Sequence, residues 1–173
     1  MWFKYPIIIV LFLFLSILQN SFLQYFRIGI GLDLVFIMFF ILIFFEEKGS
    51  YDIGFWSSII AGFFLDIFSL NYFGLSIIVL LVIYSLEKLS VYLIRQRDYK
   101  FSILSFTYLF LASFLLYIIL SYFIYPLLGS RSEFSFNFGN LFGIIYNLVF
   151  AYIGFYAYRK FILSEKNSQL RLF

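Results

Sequence analysis

Six apolar stretches, each near the roughly 20 residues that carry a helix across a bilayer, follow one another along this chain of 173 residues. No other feature restricts its fold as strongly. The stretches cover about 5–18, 32–45, 53–68, 73–89, 101–125 and 138–158. Pro6 suits the start of the first, and Pro126 closes the fifth. No small-residue cleavage site follows the first, only "QNSFLQYF", so it reads as a retained span and not as a signal peptide. The second and third are short for full spans and are expected to extend into flanking residues or to tilt in a thinned layer. Soluble domains are about a quarter charged; this chain is 12% charged, 64% hydrophobic and has a mean hydropathy of +1.02. So much apolar surface does not fit inside one core. The expected fold is all-α: a single integral membrane domain over residues 1–173, built as a compact bundle of six transmembrane helices.

Short links, "EEKGSYD" after the second stretch and "SLNY" after the third, make successive helices antiparallel neighbours. Basic residues set the orientation. With six spans and the N-terminus inside, Lys4, Lys48, Lys88, Arg95, Arg97, Lys100, Arg159, Lys160, Lys166 and Arg171 lie on the cytoplasmic side, and only Arg27 and Arg131 lie outside. Both termini are therefore expected in the cytoplasm. The two basic segments, "EKLSVYLIRQRDYK" and "RKFILSEKNSQLRLF", read as topogenic signals that also touch anionic membrane lipid, or else as a protein-docking surface. No folded basic face of useful size is present, so nucleic acid is not an expected partner.

Within this apolar chain, "GFFLDIFSLNYFG" places an acid, Asp66, where a charge is expensive. Residues four apart share a helical face, and counting back from Asp66 gives Gly62, Ser58 and Gly54. Small residues let membrane helices approach closely, so this ladder is expected to face a neighbouring helix. Asp66 then lies at the outer end of the third helix, packed but shallow. Asp33 opens the second helix on the same side, just after Arg27. Two readings stand: an outward polar cluster of Arg27, Asp33 and Asp66, or a simple N-terminal cap by Asp33. On the sixth helix Gly139, Gly143, Asn147 and Ala151 share one face, with Asn140 and Gly154 close by. That face suits packing inside the bundle or the seam of a homodimer.

The chemistry available is limited. The chain has no cysteine and no histidine, which removes disulfides, thiolate nucleophiles, Cys/His zinc sites and imidazole triads. No metal or cofactor is expected. "GIGLD" at 29–33 falls one residue outside the Gly-x-Gly-Asp motif of intramembrane aspartyl proteases, and "EEK" at 46–48 matches a membrane-protease class that needs histidine. The expectation is therefore a protein that is not an enzyme, with an intramembrane aspartyl protease built on Asp33 and Asp66 as the remote alternative.

The stretch from about Leu18 to Lys88 resembles the rod shape-determining protein MreD family. The residues that carry the resemblance are "LQNS" after the first helix, "LDLVF" opening the second, "EEKGSYDIGFWSSIIAGFFLDIFS", and "FGLS" around Gly74. Leu32 stands where the family often has proline, Leu70, Asn71 and Phe73 replace its usual glycine and proline, and beyond Arg95 only hydrophobicity matches. The resemblance implies a non-catalytic membrane scaffold of bacterial cell-wall elongation. Such a protein binds the periplasmic bitopic protein MreC and links cytoplasmic MreB filaments to the wall synthases. The family's fold is similar to the substrate-binding subunits of energy-coupling-factor transporters. A vitamin-like capture subunit, with an outward pocket at Asp33 and Asp66, is thus the alternative. The link of about a dozen residues between the first two helices is short for a substrate lid and favours the scaffold.

Overall fold

The computed structural model describes residues 4–23, 32–46, 52–68, 73–96, 103–127 and 138–170. All secondary structure among them is helical: α1 Lys4–Ile17, continued by a π-helical segment Leu18–Leu23, α2 Leu34–Phe44, α3 Asp52–Phe68, α4 Leu75–Gln96, α5 Ile103–Leu127 and α6 Phe138–Leu170. The all-α expectation is met, with six α-helices in the expected order. The sixth is longer than its apolar stretch. It runs on through Arg159 and Lys160 to Leu170, because Glu, Lys and Gln are good helix formers even where the sequence stops being apolar.

At the centre lies α2, "LVFIMFFILIF". Only Met38 of its eleven residues is not fully buried. A helix apolar on every side offers no face that prefers water, and here the other helices cover it all round. At 1.5 Å per residue it is about 16 Å long. α1, α3, α4 and α6 pack on it, and α5 meets it through aromatic rings. Phe36 lies 6.2 Å from Phe110, 5.5 Å from Phe114 and 4.9 Å from Tyr117. Phe40 lies 5.4 Å from Phe106 and 5.2 Å from Phe110. The helix does not extend beyond its apolar stretch: α2 stays short, and the side chains of Gln19 and Asn147 close its start.

The tightest pairing is between α3 and α4. α4 buries Leu75, Val79, Leu80, Ile83, Tyr84, Glu87 and Val91, while Ile78, Val82, Leu86, Leu89 and Leu93 remain exposed. The same mixture recurs around the molecule. Ile7, Val10 and Phe14 of α1, Trp56 and Ile67 of α3, Leu104 and Phe123 of α5, and Ile145 and Ile153 of α6 are all exposed. Among the described residues, Leu75–Leu93 and Ile103–Ile124 are long and apolar enough to cross a membrane. Tyr5–Ser21, Leu34–Phe44 and Ile53–Phe68 are apolar but shorter.

Candidate functional site

The first N–H groups of a helix have no partner inside it, and in a dry interior each needs an acceptor. At the start of α2 the accounting closes. Asp33 Oδ1 accepts from the Phe36 N–H at 2.9 Å. Gln19, from the π-helical segment after α1, accepts from the Leu34 N–H at 2.9 Å and the Val35 N–H at 3.4 Å. The Asp33 N–H itself donates to Asn147 Oδ1 of α6 at 2.8 Å, and Asn147 Nδ2 donates to the Gly143 carbonyl at 2.8 Å. The Tyr117 side chain of α5 also hydrogen-bonds the Asp33 carboxylate. Side chains from the π-helical segment, α5 and α6 therefore converge on one helix start.

Asp66 does similar work across a turn. Its Oδ2 accepts from the Gly74 N–H at 2.7 Å and its Oδ1 from the Ser76 N–H at 3.0 Å. Both donors stand at the beginning of α4, where the helix dipole favours an anion. Gly74 has φ +98°, a left-handed conformation that side chains rarely adopt, and this conformation leads the chain into α4. Asp66 does end α3, the pole that disfavours a carboxylate, but it is only 4% exposed and spans to the favourable pole of the next helix.

The same device appears one turn earlier, where the sequence reads as a plain polar linker. Glu46, just past α2, accepts from the Gly54 N–H at the start of α3 at 2.9 Å. Its other oxygen pairs with Lys88 of α4 at 2.5 Å. The Lys88 ammonium lies 3.4 Å from the Tyr84 hydroxyl and 5.5 Å from the centre of that ring. Glu46 to Gly54 and Asp66 to Gly74 are both eight residues apart. In each case an acid at the end of one helix holds the start of the next. Asp33, Glu46 and Asp66 thus serve the N-termini of α2, α3 and α4 in turn.

The small-residue ladder faces α4. A Cβ on Gly62 meets the Ile77 backbone, 2.5 Å from Cα and 2.6 Å from N, and a Cβ on Gly54 runs into the Tyr84 ring. Ser58 is fully buried and its hydroxyl donates to the Gly54 carbonyl at 2.8 Å. On α6, Asn147 and Ala151 are fully buried, and Gly154 lies against Ile41 of α2. The face expected either to pack internally or to form a homodimer seam is therefore occupied by α2 of the same chain. Gly139 lies in the first turn of α6, and its surroundings fall outside the described side chains.

Of the expected outward cluster of Arg27, Asp33 and Asp66, the bonds of the two aspartates are described. Arg27 lies outside the described residues, and the two aspartates cap two different helices. Asp33 follows the capping alternative. Sequence reasoning missed Gln19, Glu46, Tyr117 and the Glu46–Lys88 pair; for Glu46 the available signal was the eight-residue spacing to Gly54, the same as from Asp66 to Gly74. Chemically, the three acids act as acceptors that fix helix ends, with backbone N–H groups as their partners. Among the described residues no group of three or more acids is placed to hold a metal ion. No family model, curated protein or solved structure matches the chain.

Proposed function

We propose that this chain is a six-span protein of the bacterial cytoplasmic membrane, with both termini inside, that acts as a non-catalytic scaffold of the wall-elongation machinery. Its partner in this reading is a periplasmic bitopic protein of the MreC type, which helps to position the wall synthases. The observation that carries the reading is the use made of Gly54, Gly62, Asp66 and Gly74. These residues, central to the MreD resemblance, build one rigid α3–α4 hairpin. A protein whose distinctive acid is spent on holding two helices together fits a binding platform better than a reaction centre. The apolar residues exposed on α1, α3, α4, α5 and α6 suit a lipid surrounding, and the excess of basic residues on one side supports the orientation.

The test is a pull-down of tagged protein from its native membrane, with recovered proteins identified by mass spectrometry. The scaffold reading expects a single-span periplasmic protein together with wall synthases. Asp66→Leu leaves two N–H groups without their acceptor, at about 1–3 kcal/mol each, and is expected to lower that recovery markedly. Asp66→Asn keeps one acceptor oxygen and is expected to lower it less. Recovery of ATPases with a second membrane subunit would establish the capture-subunit alternative. Wild-type recovery with both variants would remove Asp66 from the account.

A further inference from the structure

Glu87 stands apart from the acids that hold helix starts. It lies on α4, within the apolar segment Leu75–Leu93, and is 5% exposed. Its Oε1 meets the Ser113 hydroxyl of α5. Its Oε2 is buried and has no hydrogen-bond partner among the described residues. Among the described residues no ion pair involves Glu87, and Lys88, the next residue, is paired with Glu46. From α5, the group that meets Glu87 is a hydroxyl.

The hydrogen count sharpens the question. Ser113 carries one hydroxyl hydrogen, and its oxygen is 2.7 Å from the Leu109 carbonyl as well as beside Glu87 Oε1. If that hydrogen points to the carbonyl, two oxygens are left face to face with nothing positive between them. A bare carboxylate with one oxygen unbonded is among the costliest groups to bury. In a membrane span such a group marks a site by default.

We propose that Glu87 and Ser113 hold a monovalent cation, either a proton or a sodium ion, inside the bundle. A proton on Glu87 lets the acid donate to Ser113 Oγ while Ser113 donates to Leu109. A sodium ion instead takes the two glutamate oxygens and Ser113 Oγ as ligands. Both supply the one positive charge that the pair lacks. The inference rests on the interior of the bundle and on the membrane reading, not on any role in wall synthesis.

The test uses the full-length protein in membranes and dicyclohexylcarbodiimide, an apolar reagent that modifies carboxylic acids in dry surroundings. Adducts are mapped by mass spectrometry in sodium buffer and in choline buffer. Labelling at Glu87 in both buffers, absent at the lysine-paired Glu46 and lost in Glu87→Gln, identifies a proton site. Labelling in choline that sodium suppresses identifies a sodium site. In that case sodium also raises the thermal midpoint of the wild type but not of Glu87→Gln. Absence of label at Glu87 in both buffers, with a thermal midpoint indifferent to sodium, overturns the proposal. The unfolded protein, labelled in parallel, shows that the peptide is detectable.

Discussion

Leucine in place of Gly62 is expected to destabilise the bundle by about 3 kcal/mol, at the upper end of the cost of overpacking. What a side chain meets there decides the size of the effect. A Cβ at Gly62 lies 2.5 Å from Ile77 Cα and 2.6 Å from its N, and backbone cannot rotate out of the way. Even alanine has to push α3 and α4 apart, and leucine more so. Gly54 offers the contrast. The atoms in its path belong to the Tyr84 ring and the Glu46 side chain, which can move, so Gly54→Ala is expected to cost less than Gly62→Ala. Thermal unfolding in detergent measures both. An unchanged transition for Gly62→Leu would show that α3 and α4 are not packed as described.

Lys88→Met is expected to be nearly as damaging, at about 3 kcal/mol, because it leaves a buried carboxylate without its counter-charge. The Glu46 side chain is 2% exposed, while that of Lys88 is 26% exposed. Water around the lysine therefore holds the loss toward the lower end of what a fully buried pair would give. The double variant Glu46→Gln/Lys88→Met is expected to recover most of it. Glutamine still offers an oxygen to the Gly54 N–H, and no charge is left unpaired. A Lys88→Met protein as stable as wild type, or a double variant no better than the single one, would mean that the pair does not fasten α2 and α3 to α4.

These two effects show which parts of the structure were open to reading in the sequence. The ladder from Gly54 to Asp66 was legible because helical periodicity fixes a face before any partner is known, and small residues on a face indicate close approach. The apolarity of α2 was also plain, since "LVFIMFFILIF" offers no polar side, but its central place was not, because a lipid-facing helix reads the same. What remained hidden were contacts between residues brought together by turns. Asp66 sits at the wrong pole of its own helix, and its role emerges only with the start of α4 in place. Glu46 hides in a charged linker, and Gln19 depends on the π-helical segment that carries it to α2. Asp33 and Asp66 were grouped by sharing one end of the bundle, yet each answers the nearest unsatisfied helix start. In a dry interior, local backbone donors compete effectively for the acids at helix ends.

The proposed topology, six crossings with both termini in the cytoplasm, is directly measurable because the chain has no cysteine. Single cysteines placed at Ser50, Ser132 and Ser168 can be treated with a membrane-impermeant maleimide in intact cells and again after permeabilisation. Ser132→Cys, between α5 and α6, is expected to react in intact cells. Ser50→Cys, between α2 and α3, and Ser168→Cys, near the C-terminus, are expected to react only after permeabilisation. Reaction of Ser50→Cys and Ser132→Cys from the same side of the membrane would contradict the six-span bundle.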